Sequence, residues 1–435
     1  MAAEARGGAG DGGIGRHTRT MSGLTLVSRV LGLVRDLVTV RIFGDTVAGS
    51  AFAAAFAVPN MFRRLFGEGA FSAAFLPVYA RMSDDEPERA GALASLTVAV
   101  LALITGGILA VVELGLLLVI LLAPGDADRV YSLGLVMVML PFMPLICVAA
   151  VLGGMLQCHG RFGVWAAAPI LMNVLVIAVS APYFVVEGAG ARDWAVYIGI
   201  AAVVSGAMQV AWSVRALRGR VAWSRGWGRV RGEGRAMLGR MAPVLVGLGT
   251  LQLNALTDTV IAMYPNWVGP TVGGLEYPLD GSSNALLFYA QRLYQFPLGV
   301  FGIAVATAAF PALSRAAGDR EAFGAMLARG ARLSLFVGVP ASVGLVVVAR
   351  PLVSLLYGAG AGGFSDEGVA RASWVLIPYA GAVWAYALNQ LLTRGFYARG
   401  DTRTPMRIAL AMVGLNLVLN LVLIWPLREA GLALS

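Results

Sequence analysis

Eleven apolar runs, each long enough to cross a bilayer, follow residue 21 and restrict what this chain can become. They lie at 22–43, 48–66, 92–122, 130–156, 164–185, 194–214, 241–263, 285–310, 332–349, 372–393 and 406–427, and a further run starts near Ala430. Runs of this length close their own backbone hydrogen bonds as helices in hydrocarbon. The expected fold class is an all-α polytopic membrane protein. Composition agrees, with 58% hydrophobic and 13% charged residues, against about 25% charged in a soluble domain. The same numbers exclude disorder.

All 33 basic residues are arginine. Without lysine there is no Walker A motif and no Schiff-base chemistry. The formal net charge of +9 is not a nucleic-acid signature, because the arginines sit in short loops between apolar runs. With the N-terminus inside, 22 of them fall on cytoplasmic segments and six on external ends. Eight of the 22 lie between 215 and 240. This bias predicts a cytoplasmic N-terminus. Loop 264–283, which carries Glu276 and Asp280 but no arginine, is expected outside. Cys147 and Cys158 are too few for a disulfide scaffold, and His17 and His159 are too far apart to suggest a zinc pair or a triad.

The organisation reads as a Gly-rich cytoplasmic tail at 1–21, a six-helix lobe at 22–214, a basic cytoplasmic linker at 215–240 and a second lobe at 241–435. A short repeat supports duplication. Ala74-Phe75-Leu76-Pro77-Val78-Tyr79-Ala80-Arg81 and Ala308-Ala309-Phe310-Pro311-Ala312-Leu313-Ser314-Arg315 share an Ala-x-x-Pro-x-x-x-Arg frame six spans apart. An even offset gives both blocks the same orientation, related by an axis along the membrane normal.

Polar residues inside the runs carry the functional signal. Thr25, Arg29, Gly32 and Asp36 share one helical face, flanked by Ser28 and Arg35. An arginine at a helix centre costs at least about 2.5 kcal/mol to insert, so these side chains need a wet cavity or partners. An Arg29–Asp36 pair that merely holds helices together is the structural alternative. In the second run Arg64 and Glu68 are four apart and can pair, leaving Arg63; both arginines could instead snorkel to the interface. Arg292 in the eighth run has no carboxylate within reach along its helix, and Pro297 follows it. Together Arg29, Arg35, Arg63 and Arg292 predict a cationic chamber, with Asp36 and Glu68 placed in the same site. A guanidinium fork suits phosphate, and apolar walls suit a lipid, so a lipid-linked phosphate or pyrophosphate is the expected substrate. Thr250, Asn254, Thr257 and Asp258 share a face in the seventh run. Their oxygens suit either a hard cation or an interhelical hydrogen-bond network.

Four stretches resemble the MurJ/MviN family: Ser28 to Asp36 (SRVLGLVRD), Pro59 to Ser72 (PNMFRRLFGEGAFS), the Arg292 segment with Phe-Pro-x-Gly-Val at 296–300, and Phe396 to Pro405 (FYARGDTRTP). The resemblance runs from about Met21 to Ser435. It implies a lipid II flippase of the multidrug/oligosaccharidyl-lipid/polysaccharide exporter superfamily. Fourteen helices in two six-helix lobes around a central cationic cavity, working by alternating access, are then expected. The family's cavity arginines match Arg29, Arg35, Arg63 and Arg292. Its reported sodium site, on the seventh helix and the tenth, matches Asp258 and Asn254 with Asn389 and Thr393, so Na+ is the coupling ion the resemblance suggests. Thr393 stands where an acid would bind more strongly. Ser50 stands where family members often carry Asp, and Gln291 replaces an acid often found before the cavity arginine. The family's last two helices are expected to be missing from residues 1–435.

The expected partners are lipid II, membrane lipids and the cell-wall synthesis machinery, with no nucleic acid. The expected activity is transport rather than enzymatic. Two readings compete with it: export of another polyprenyl-pyrophosphate-linked sugar, and a membrane-embedded glycosyltransferase using a loop acid among Asp193, Glu276, Asp280, Asp366 and Glu367. A drug antiporter would need acids more than arginines in its chamber. A silent scaffold would leave four buried arginines as an unexplained cost.

Overall fold

The computed structural model describes residues 8–186, 188, 190–299, 303–358 and 362–435. Among the described residues, the apolar runs of the sequence fall on helical segments. The N-terminal helices are α1 (Gly8–Phe43), α2 (Val47–Phe62), α3 (Phe71–Asp85), α4 (Pro87–Leu122), α5 (Ala127–Met139), α6 (Phe142–Cys158), α7 (Phe162–Ser180) and α8 (Ala191–Leu217). Then come α9 (Arg231–Trp267), α10 (Ser283–Pro297), α11 (Ile303–Arg315), α12 (Arg320–Val347), α13 (Ala349–Val353), α14 (Asp366–Gly381), α15 (Val383–Ala398), α16 (Arg403–Leu427) and α17 (Glu429–Leu434). Among the described residues, seven helical stretches are long and apolar enough to cross a membrane: Pro87–Leu122, Ala127–Cys158, Phe162–Phe184, Ala191–Leu217, Arg320–Val347, Asp366–Ala398 and Arg403–Leu427. The other four runs lie on α1, α2, α9 and the α10–α11 stretch.

Local chemistry sets the ends. Pro87 opens α4, where a fixed φ and a missing N–H cost nothing. Asp319 caps α12 by accepting from the N–H groups of Glu321 at 2.9 Å and Ala322 at 3.1 Å. Ser365 caps α14 through the N–H of Gly368 at 3.0 Å. Gly160 and Gly400 follow α6 and α15 with φ of 71° and 76°, the left-handed turn that glycine tolerates.

Two features differ from simple crossing helices. Between α2 and α3 the chain forms an eight-residue π-helical segment, Arg63–Ala70, where the sequence suggests only the end of a span. A two-stranded antiparallel hairpin, β1 (Thr271–Val272) with β2 (Leu275–Glu276), stands in the expected external loop, with Thr271 opposite Glu276. Both copies of the repeat place their proline inside a short helix, Pro77 in α3 and Pro311 in α11. In the first copy Arg81 Nε donates to the Pro77 carbonyl at 3.1 Å, which gives the four-residue Pro–Arg spacing a physical use.

The chain separates into two compact units. One comprises Met1–Ile42 and Ala54–Gln252, and its core includes Phe75, Leu93, Leu101, Leu152, Met155 and Leu217. Close helix approach here depends on small residues: a Cβ on Gly206 of α8 would lie 2.9 Å from the Phe142 ring of α6. The other unit comprises Phe43–Ala53 and Leu253–Ser435, with Ala306, Leu313, Phe323 and Leu391 packed together. Here Gly338 of α12 faces the backbone of Trp384 in α15, and a Cβ would sit 3.0 Å from its Cα.

Candidate functional site

In the first unit the polar face of α1 is built around Arg35, which is only 7% exposed. Its Nε and Nη2 both donate to Asp36 Oδ1, at 3.0 and 2.7 Å. Its Nη1 donates to Asn173 Oδ1 on α7 at 3.0 Å, and its guanidinium lies 4.8 Å from the Phe56 ring centre. Asn173 is buried and donates in turn to the Ser28 carbonyl at 3.1 Å. Asp36 therefore pairs with Arg35, its sequence neighbour. Arg29 is exposed on the same helix. Arg63 is half-buried at the start of the π-helical segment, and Arg64 is exposed. The side chain of Glu68 lies outside the described residues.

In the second unit Arg292 projects from α10 with its guanidinium 4.7 Å from the Phe288 ring centre and Nη1 3.5 Å from Gln295 Oε1. Neighbouring Gln291 donates to the Tyr379 hydroxyl at 3.0 Å. Tyr294 stacks between Tyr379 and Tyr386, with ring centres 4.9 and 5.8 Å away. Ser50 is fully buried; its hydroxyl accepts from the Ala285 N–H at 3.1 Å and its carbonyl from Asn284 Nδ2 at 2.9 Å. A serine there supplies the acceptor for the first turn of α10 without burying a charge.

Asp258 on α9 receives a hydrogen bond from Asn420 Nδ2 of α16 at 2.7 Å. Asn420 also donates to Asn416 Oδ1 at 3.2 Å and accepts from the Ser435 hydroxyl. The buried Oδ1 of Asn254, one turn before Asp258, has no hydrogen-bond partner among the described residues. The side chain of Thr250 lies outside the described residues. Asn389 is exposed and Thr393 half-buried on α15, and no hydrogen bond among the described residues joins either to Asp258. No group of three or more His, Cys, Asp or Glu placed to hold a metal ion occurs among the described residues.

A second charged cluster was not foreseen. Arg371 near the start of α14 pairs with Asp280 at 2.7 Å and with the buried Glu429 of α17, and lies 3.8 Å from Glu367. Arg428 donates to the Pro278 carbonyl at 2.9 Å. Burial pushes the Asp280 carboxyl up, but hydrogen bonds from Arg371 and Ser282 outweigh it and hold the group at about 2. Asp280 and Glu429 lie far from Arg371 in sequence, so no local motif announces the cluster. Asn173, Asn416 and Asn420 were missed as well, although lone amides inside apolar runs are a usable signal.

Known proteins resemble the chain over most of its length. A family model described as lipid II flippase MurJ matches residues 39–435. A Vibrio cholerae protein described as a probable lipid II flippase MurJ is 32% identical over 434 residues, covering 95% of this chain and 78% of its own. A Burkholderia cenocepacia lipid II flippase MurJ is 29% identical, covering 97% of this chain and 80% of its own. Among solved structures, a lipid II flippase MurJ in an inward closed conformation superposes with a TM-score of 0.77 at 23% identity, covering 95% of this chain and 83% of that one. An inward-facing multidrug resistance MATE transporter superposes at 0.74 with 13% identity, covering 95% and 93%.

Proposed function

The chain belongs to the lipid II flippase MurJ family, and on that premise we propose that it carries lipid II from the cytoplasmic to the periplasmic leaflet by alternating access. It is a multi-pass membrane transporter and not an enzyme. In this reading the N-terminus is cytoplasmic, residues 22–214 and 241–435 act as the two lobes, and 215–240 links them inside. Arg29, Arg35, Arg63 and Arg292 hold the pyrophosphate, with Asp36 and Glu68 tuning them. The observation that carries the reading is Arg35. A guanidinium only 7% exposed inside an apolar run is neutralised by Asp36 and held in orientation by Asn173, so its fork is fixed before any phosphate anion arrives. Lipid II supplies one in its pyrophosphate, and its isoprenoid tail stays in the bilayer.

Sodium coupling belongs to the same proposal. Asp258 supplies a carboxylate and Asn254 an unsatisfied buried carbonyl oxygen, a donor set that fits a hard cation. Asn389 and Thr393 would complete the set. Sodium would supply work only by binding one facing state better than the other. An inside-negative potential also favours outward movement of an anionic headgroup, at about 2.3 kcal/mol per charge per 100 mV.

The test is complementation of a flippase-depleted bacterium, paired with a leaflet-redistribution assay on purified protein. Redistribution of lipid II with no polymer formed is expected. Polymer formation would support the glycosyltransferase. Redistribution of a different polyprenyl-pyrophosphate sugar, with lipid II left in place, would support the related exporter.

A further inference from the structure

The segment joining α8 to α9 is folded onto α4. Val221 and Val230 are buried at its two ends. Between them the chain crosses Gly91 of α4 so closely that a Cβ there would lie 1.8 Å from the Ala222 carbonyl oxygen. The Ser224 N–H donates to Ser95 Oγ at 3.3 Å, a 3-10 turn covers Trp227–Val230, and Arg89 pairs with Glu233. A link that only had to span two helices would need none of these contacts.

What this scaffold displays is two tryptophans and a set of arginines. Trp223 and Trp227 are 40% and 41% exposed. Arg218, Arg220, Arg225 and Arg231 are exposed, and no ion pair involves them among the described residues. Arg229 lies 3.8 Å from Glu88. The segment leaves the end of α8, a helix long and apolar enough to cross the membrane, so it sits at headgroup depth. Indole rings favour that depth, with an apolar body and a polar N–H. Guanidinium forks without carboxylate partners match phosphate. A soluble anion would use the arginines and leave the tryptophans unexplained.

We propose that residues 218–231 form a binding platform for anionic phospholipid headgroups, with Arg218, Arg220 and Arg225 on the phosphates and Trp223 and Trp227 seated beside them. The assignment does not depend on which lipid the protein transports.

The test uses the full chain in lipid nanodiscs of phosphatidylcholine alone or of an equal mixture with phosphatidylglycerol. Backbone hydrogen exchange across 218–231 is the readout. Slower exchange is expected in the mixed discs only, and raised salt should abolish the difference in the unmutated protein. Each arginine replaced by glutamine should weaken the anionic effect about fivefold, so Arg218→Gln, Arg220→Gln and Arg225→Gln combined should remove it. Exchange of that variant in phosphatidylcholine should match wild type, which verifies its fold. Trp223→Ala with Trp227→Ala should reduce the protection and keep its salt dependence. Equal exchange in both lipid compositions, or full protection of the triple variant, overturns the proposal. So does equal protection by inorganic phosphate in detergent, which would reassign the site to a soluble anion.

Discussion

Asn173 of α7 accepts from Arg35 Nη1 at 3.0 Å and donates to the Ser28 carbonyl of the same α1 helix at 3.1 Å. One amide thus fixes both a guanidinium and the backbone that carries it. The Arg35 side chain is therefore oriented by α7 and not only by its own helix. Asn173→Leu leaves a buried charged donor without its acceptor, at a cost of about 2 kcal/mol. The variant should insert and express while transport falls at least about tenfold. Unimpaired complementation by Asn173→Leu would remove the amide from the transport site.

The π-helical segment separates two adjacent arginines by environment, with Arg63 half-buried and Arg64 exposed. Arg63→Ala should therefore abolish support of growth, whereas Arg64→Ala should impair it mildly. Arg35→Lys should rescue poorly, because an ammonium cannot reproduce a fork shared between Asp36 and Asn173. Growth of both alanine variants at equal rates would contradict the assignment.

Much of the fold was legible in the sequence, because hydrocarbon leaves a polar backbone one solution and a run such as 406–427 announces it. The candidate site was legible only one residue at a time. Arg35 and Asp258 stand out as charges in apolar runs, but their partners Asn173 and Asn420 lie 138 and 162 positions away, and no periodicity links them. The π-helical register at Arg63 also has no simple pattern, since it reflects packing rather than propensity.

Arg371 and Ser282 hold the Asp280 carboxyl at about 2, below its ordinary value near 3.8. A depressed carboxylate contributes stability above its unfolded pKa and loses it as pH falls through the folded one. Wild type should melt higher than Asp280→Asn at neutral pH, and the difference should close between about pH 4 and pH 2. Melting curves of the two proteins in detergent test this. A gap that persists at pH 2 would point to packing instead of charge.

For the cation site, sodium should change protease protection or conformation in wild type and leave Asp258→Asn unaffected. Removing the carboxylate also removes the acceptor for Asn420, so Asn420→Ala serves as the control: it loses that bond but keeps the charge, and should retain a sodium response. Identical behaviour of wild type and Asp258→Asn would leave the membrane potential as the driving force.

The proposed orientation is checked by cysteine labelling on a background lacking Cys158, the exposed native thiol. An impermeant reagent applied outside should modify a cysteine placed at Gly273, beside the β1–β2 turn, and spare one placed at Gly232. The reverse pattern would invert the topology.

The π-helical segment Arg63–Ala70 has a mechanical consequence. A π turn holds one residue more than an α turn closes over. Each residue passed from π into α register is wound more tightly, so the chain beyond it turns by the difference between the two windings. Downstream stands α3 with Pro77, whose ring already removes one rung from the hydrogen-bond ladder. Because α3 follows Ala70 without a loop, a change of register beside Arg63 would be passed to that helix as a rotation.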